Sequence, residues 1–233
     1  MKALFTTLLL AAAIPAAAAM PARPAADTAR DAARKPDAMV AFAGIKAGSR
    51  VADFIPGGGY FTRVFATAVG TTGHVTAIIP AQARAVYAED SKTIDGLAAN
   101  GYPNVSVAAT PADPALAGTL DVFWTAQNYH DLHNAQPPEA VIGFNKAVFA
   151  TLKPGGVYVI VDHAAADGSP LDTTKSLHRI DPAIIKSEVI AAGFKFDGES
   201  NVLRNPADPR TATVFDPSIR GKTDQVVYRF KKP

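Results

Sequence analysis

Hydrophobic residues in this chain alternate between short continuous runs, which predict strands, and longer stretches with helical spacing. The runs predict seven strands, over 50–54, 74–79, 105–109, 120–124, 157–161, 194–203 and 225–231. Between the fourth and fifth runs, Val141, Phe144 and Val148 recur at the three- and four-residue spacing of one helix face. Because helical stretches separate the first five strands, we expect those strands to be parallel.

The last two predicted strands are connected differently. Residues 204–223 contain three prolines and carry no helix pattern, so an antiparallel hairpin is favoured over a helical crossover. The whole pattern predicts an α/β fold with a doubly wound, mainly parallel, seven-stranded sheet and a C-terminal antiparallel hairpin.

The first residues have the pattern of a secretory signal peptide. Lys2 precedes an apolar run over 3–14, and small residues follow up to Ala19. The run is shorter than the about 20 residues that a membrane-spanning helix needs. We therefore predict that the mature protein is periplasmic and does not contact the membrane. The predicted divisions are a signal peptide over 1–19, a tether or N-terminal lid over 20–35 and a folded domain over 36–233.

Composition narrows the class of partner. The 233 residues include 23 Lys and Arg against 21 Asp and Glu, a net charge of +2, which argues against nucleic acid. There is no cysteine, which excludes disulfides, thiolate metal sites and a cysteine nucleophile. A small-molecule substrate is the expected partner, and the oligomeric state is left open.

A glycine loop connects the first strand to a helix. Asp53 ends the strand, and Gly57, Gly58 and Gly59 precede the helix. Free backbone N–H groups at such a helix start bind anionic or polar cofactors. The nicotinamide pattern requires a third glycine where Thr62 stands, so that cofactor is disfavoured.

This loop resembles that of the Rossmann-like S-adenosylmethionine-dependent methyltransferases. The residues that carry the resemblance lie over 51–62, 127–133, 152–156 and 214–222, and they are similar to an exported bacterial group of predicted methyltransferases. The resemblance covers nearly all of 50–230. It implies a methyltransferase domain that uses S-adenosylmethionine to methylate an unidentified, small-molecule acceptor.

The resemblance also implies roles for particular residues. Asp53 would orient the loop and meet the amino-acid end of the cofactor, and the loop glycines would let the backbone approach it. The implied cofactor residues are Asp53, Gly57, Gly58, Gly59, Thr62, Ile79 and Trp124. The implied catalytic residues are Tyr129, His130 and His163. His130, or Tyr129 beside it, would orient or deprotonate the acceptor.

Three positions depart from the pattern of that superfamily. Its first loop glycine falls on Ile55, and the acid that holds the cofactor ribose falls near Ile79. The acid for the adenine amine falls near Ala109 or Thr110, where only Asp113 is close in sequence. These two isoleucines support an alternative, a non-catalytic binding protein that retains the methyltransferase fold and has an apolar pocket.

The histidines support a second alternative. His130 and His133 are three residues apart, and Asp162 and His163 end the fifth strand, so the four could form a metal-dependent hydrolase site. Equally, they could cap turns and face solvent. The sequence assigns no residue as a metal ligand.

Overall fold

The computed structural model describes residues 20–233, so the predicted signal peptide lies outside the described residues. The strands are β1 Arg50–Phe54, β2 His74–Ile78, β3 Val105–Ala108, β4 Leu120–Ala126, β5 Leu152–His163, β6 Lys195–Glu199 and β7 Gln225–Lys231. The helices are α1 Ala25–Thr28, α2 Asp31–Arg34, α3 Pro36–Ala43, α4 Tyr60–Val69, α5 Ala81–Val86, α6 Ala88–Asp95, α7 Tyr129–Ala135, α8 Pro138–Thr151, α9 Thr173–Ser176 and α10 Pro182–Ala191, with a 3-10 turn at Pro114–Leu116.

The strands form one sheet in the order β3-β2-β1-β4-β5-β7-β6. The first five strands run parallel, and β7 is antiparallel to both of its neighbours. The prediction of a mainly parallel seven-stranded sheet with a C-terminal antiparallel hairpin is therefore confirmed.

Three elements differ from the pattern. Strand β5 begins at Leu152 instead of at 157. The helical material after β2 is divided into α5 and α6 at Tyr87. The sixth strand ends at Glu199 instead of continuing to 203, and its pairing with β7 shifts register between Phe196 and Gly198, where Gly198 has a φ of 136°.

Each face of the sheet carries an apolar layer. Val51 and Val122 face α3 and α4, while Ala52 and Phe123 face α8 and α10. Consecutive side chains of a strand point to opposite faces, so the same apolar run serves both layers.

The carboxyl ends of the parallel strands meet along one edge. Strand β1 lies between β2 and β4, so the connections leave it in opposite directions. In open α/β sheets this reversal point opens a crevice where ligands bind.

The N-terminal segment lies across the start of α4. Asp27 and Arg63 form a buried ion pair at 2.7 Å, and Tyr60 donates a hydrogen bond to Asp31 at 2.6 Å. The Arg34 guanidinium stacks 4.9 Å from the Tyr60 ring centroid. Among residues 20–233, no helix has the length and apolar character needed to cross a membrane.

Candidate active site

Two neighbouring cavities lie at the crevice. The larger, about 960 Å³, extends along the ends of β1 to β5 as far as the histidines, and the smaller, about 220 Å³, lies between Arg34 and the glycine loop. Both are lined by Ile55, Tyr87, Gln127 and Asn128. The two cavities therefore form one groove that connects the glycine loop to the histidines.

Asp53 is buried beneath the smaller cavity. Its carboxylate accepts a hydrogen bond from the Thr62 hydroxyl at 2.7 Å. Burial raises the pKa of Asp53 to about 7, although the Thr62 hydrogen bond and the Arg34 charge oppose that rise. Thr62 is itself fully buried, so it positions Asp53 and does not contact the groove.

The three loop glycines have different surroundings. Gly57 has a φ of 53° and lines the smaller cavity, and Gly58 is exposed. Gly59 has a φ of 84°, and a Cβ there would lie 2.8 Å from Ile94 Cδ1 and 2.9 Å from an Arg63 guanidinium nitrogen. The left-handed φ therefore favours glycine at position 59, and a Cβ there would also have to displace the ends of the Ile94 and Arg63 side chains.

The departure at Ile55 retains the backbone conformation that a glycine would adopt. Ile55 has a φ of 51°, and Gln127 and His178 have φ values of 62° and 53°. Within the described chain, five residues other than glycine have positive φ, and these three line the larger cavity. Backbone strain of this kind costs about 1–3 kcal/mol per residue and is concentrated at functional sites.

Arg34 is a site residue that sequence reasoning missed. It lines the smaller cavity with Asp53 and Gly57, and its guanidinium lies 3.5 Å from Gln127 Oε1. Burial lowers the pKa of Arg34 to about 10, so the side chain stays charged at neutral pH. No signal in the sequence distinguished it from the other arginines of the segment.

Asp90 is a second such residue. It lines the smaller cavity from α6, and a Cβ added to Gly58 would lie 3.2 Å from Asp90 Oδ1. Ile79 is only 5% exposed and belongs to the apolar layer beneath α4. Besides Asp53 from β1, an acid beside the glycine loop thus comes from helix α6 and not from the end of β2.

Trp124 lies in the core and not at the groove. It is fully buried, with ring centroids 4.8 Å from Phe61 and 5.2 Å from Phe65. The side chain packs under α4 on the same sheet face as Val122. Trp124, for which the resemblance implied a cofactor contact, is therefore placed in the apolar core in this structure.

At the other end of the groove, His130 pairs with Asp162. His130 Nδ1 lies 2.8 Å from Asp162 Oδ1, and the His130 backbone N–H donates to Asp162 Oδ2 at 2.8 Å. Burial would by itself raise the pKa of Asp162, but attraction to His130 and its hydrogen bonds hold that pKa below its usual value. The ionised carboxylate orients the ring with Nδ1–H inward and Nε2 toward the cavity.

Two further side chains converge on His130 Nε2. His178 Nδ1 and Asp131 Oδ1 each lie 3.4 Å from it. His163 lines the same cavity, with its Nδ1 2.7 Å from the Thr223 hydroxyl. Burial lowers the pKa of His163 to about 4, so this imidazole is neutral at physiological pH.

Tyr129 and His133 point away from the groove. The Tyr129 hydroxyl lies 2.8 Å from Glu188 Oε2 and accepts a hydrogen bond from Asn145. His133 Nε2 lies 3.1 Å from the same Glu188 oxygen. The Tyr129 hydroxyl, for which the resemblance implied a catalytic role, is thus placed at Glu188 and not at the groove. His133 lies on the same helix face and apart from His130, because a helix brings residues four apart onto one face.

Comparisons with known proteins identify the fold. No protein-family model matches the chain, and no curated protein matches it. A SAM-dependent methyltransferase from Aquifex aeolicus is similar in structure, with a TM-score of 0.61 and 20% identity, over 87% of this chain and 92% of that chain. The 1,6-didemethyltoxoflavin-N1-methyltransferase of Burkholderia thailandensis, solved with S-adenosylhomocysteine, has a TM-score of 0.55 and 19% identity, over 89% and 81%.

A third solved structure, the [4+2]-cyclase SpnF, has a TM-score of 0.61 and 16% identity, over 86% of this chain and 80% of that chain. The chain therefore has the fold of the Rossmann-like S-adenosylmethionine-dependent methyltransferases, as the resemblance predicted. Because SpnF shares this fold, activity must be argued from the site.

Proposed function

We propose that this protein is an S-adenosylmethionine-dependent methyltransferase that acts on a small-molecule acceptor. The observation that carries the proposal is one groove with opposite charges at the glycine loop and a carboxylate-oriented histidine at its far end. S-adenosylmethionine supplies a methyl group on a positively charged sulfur. The residues that line the groove fit the two ends of this cofactor.

The smaller cavity fits the amino-acid end of the cofactor. That end carries an ammonium and a carboxylate, and the cavity presents Asp53 and Arg34. Asp53 would bind the ammonium and Arg34 the carboxylate, since charge-assisted hydrogen bonds are about twice as strong as neutral ones. Gly57 lets the backbone lie against the ligand.

Asp90 supports binding of the ribose. The strand-end acid is replaced by Ile79, whose side chain is buried, but Asp90 lies beside Gly57 and Gly58 on the groove. Its carboxylate would accept hydrogen bonds from the ribose hydroxyls. The loss of the strand-end acid is then compensated from α6.

The acceptor end has room for a small molecule beside the cofactor. The larger cavity, about 960 Å³, lies near the upper end of the range for small-molecule sites, which is about 300–1,000 Å³. His130 Nε2 and His163 line it together with the apolar side chains of Phe144 and Phe215. An acceptor with an apolar body and one polar group fits this lining.

The test is calorimetry on residues 20–233 with S-adenosylmethionine and S-adenosylhomocysteine, followed by assay of methyl transfer to a panel of small molecules. We expect Arg34→Ala to weaken binding of both ligands about ten- to hundredfold. Arg30→Ala is the matched control, because Arg30 also stacks on Tyr60, at 5.4 Å, but does not line either cavity.

Three outcomes bear on the proposal. No binding of either ligand by folded protein would overturn it, and so would equal losses in Arg34→Ala and Arg30→Ala. Binding without turnover on any acceptor would favour the non-catalytic alternative.

We also propose that the protein is exported and matures after residue 19. In support, the apolar run over 3–14 and the small residues up to Ala19 have the pattern of a signal peptide. Met20 packs against the apolar layer beneath α4 and Asp27 pairs with Arg63, so these residues belong to the folded part of the protein. Mass spectrometry of the periplasmic fraction should find an N-terminus between Met20 and Asp27. A membrane-bound species that retains Lys2 would contradict export.

A further inference from the structure

Three donor atoms from two separate parts of the chain meet at the acceptor end of the groove. His130 and Asp131 lie in the first turn of α7, and His178 lies in the segment between α9 and α10. His130 Nε2 lies 3.4 Å from both His178 Nδ1 and Asp131 Oδ1, and the last two atoms are 3.7 Å apart. All three residues line the larger cavity.

These separations match the geometry of a metal site. With metal–ligand bonds of about 2.0–2.1 Å, two ligand atoms of a tetrahedral zinc ion lie about 3.4 Å apart. A hydrogen-bonded pair accounts for one such distance, whereas three donor atoms within 4.8 Å of one another are also the arrangement that a shared metal ion would hold. Two imidazoles and a carboxylate are a common donor set for zinc and other divalent transition metals.

A supporting hydrogen bond is also in place. Asp162 is fully buried and accepts from His130 Nδ1, which leaves Nε2 as the coordinating atom. Histidine ligands of metals nearly always have such a partner on the other ring nitrogen. His130 is 3% exposed and has no freedom to turn away from the triangle.

We propose that His130 Nε2, His178 Nδ1 and Asp131 Oδ1 bind a divalent transition-metal ion, zinc being the ion that this donor set fits best. Three protein ligands leave a fourth position open, and here that position faces the cavity. Closed four-ligand sites are structural, whereas an open position is the mark of a site that binds substrate.

The open position narrows the class of acceptor. A bound metal ion lowers the pKa of a coordinated hydroxyl group, so the O–H bond breaks at neutral pH and the proton passes to water in the cavity. This role rests on the proposed methyltransferase function and indicates an acceptor with an ionisable hydroxyl group. Metal binding itself does not depend on that function.

The donor set differs from the one that the histidine spacing suggested. His133 lies against Glu188, and His163 Nδ1 is engaged by Thr223. Asp162 stands behind His130 and not at the triangle. The third ligand is instead His178, which is 48 positions from His130 in the sequence.

The test is titration of tag-free, chelator-stripped residues 20–233 with zinc alone, read by calorimetry, and with cobalt, read by its visible absorption. We expect one ion per chain and a cobalt spectrum of tetrahedral type. Asp162→Asn should weaken zinc binding about 10- to 100-fold, and His178→Ala should weaken it further. His74→Gln is the matched control, because His74 lies at the start of β2, hydrogen-bonds to Ser106 and does not line the larger cavity.

Zinc binding of equal strength in wild type and a folded His178→Ala variant would overturn the proposal, as would the absence of stoichiometric binding to wild type. An equal loss in His74→Gln would show adventitious binding and would also overturn it. S-adenosylmethionine is titrated into both stripped and zinc-loaded protein. Failure of that titration alone refutes the methyltransferase function, and failure of the zinc titration alone refutes the metal site.

Discussion

The protonation of Asp53 should couple cofactor binding to pH. Burial raises the pKa of this carboxyl to about 7 from 3.8, so the ligand-free protein holds it partly protonated at neutral pH. A bound cofactor ammonium would favour the ionised form. S-adenosylmethionine should therefore bind more tightly as the pH rises through 7.

The magnitude follows from the ionised fraction of Asp53. With a pKa of about 7, that fraction is about 9% at pH 6 and about 91% at pH 8, so the dissociation constant should fall about tenfold, or about 1.4 kcal/mol, between them. Binding at pH 7 should release about half a proton. Calorimetry in two buffers with different ionisation enthalpies measures that release directly.

Stability of the ligand-free protein should change in the opposite direction. Because the folded pKa is raised above the unfolded value, the contribution of Asp53 is fully present below about pH 3.8 and is lost as the pH rises through about 7. Between pH 5.5 and 8 this loss is about 2 kcal/mol, or a Tm decrease of about 4–8 °C. Thermal melts with and without cofactor record both trends.

Asp53→Asn is the control for both measurements. It keeps the size of the side chain but cannot ionise, so its affinity and Tm should lack this pH component. A wild-type dissociation constant that stays constant from pH 6 to 8, with no proton released, would refute the reasoning. A pH dependence that persists in Asp53→Asn would assign it to another group.

Three further perturbations test the packing around the groove. Asp27→Asn leaves Arg63 buried without its partner and should lower the free energy of unfolding by about 3–5 kcal/mol in denaturant titrations; an unchanged midpoint would show that the N-terminal segment is not docked. Gly59→Ala should lower the Tm, because its Cβ meets Ile94 and its φ is left-handed, and a Tm equal to wild type would contradict this assignment. Tyr129→Phe should cost about 1–2 kcal/mol of stability because buried hydrogen bonds are lost. Cofactor affinity, measured by calorimetry, should stay unchanged. A loss of affinity would show that Tyr129 contacts the ligand in the groove.

The fold could be derived from the sequence because its causes are local. Strand runs with helical stretches between them require a parallel sheet, and the proline-rich 204–223 connection leaves only a hairpin. Asp53 followed by glycines predicted the site at the end of β1 for the same reason. The chain takes up a left-handed backbone conformation at this point, and Ile55 adopts it at a positive φ although it is not a glycine.

The detailed placement of side chains could not be derived in this way. Trp124 is next to the groove in sequence, but its position in the strand turns it under α4 into the core. Tyr129 and His130 are consecutive, yet the turn of α7 directs one toward Glu188 and the other toward the cavity. The rotation of the helix by one residue therefore decides whether a side chain makes a buried hydrogen bond or lines the cavity.

Only the tertiary structure brought together the charged and polar groups of the groove. Arg34 reaches Asp53 because the N-terminal segment docks on α4, and Asp90 reaches the loop from α6. His178 joins His130 across 48 positions of chain. Such contacts depend on how helices and loops pack against one another, and the hydrophobic pattern does not encode this packing. The sheet, in contrast, depends on periodicities that the amino-acid sequence shows directly.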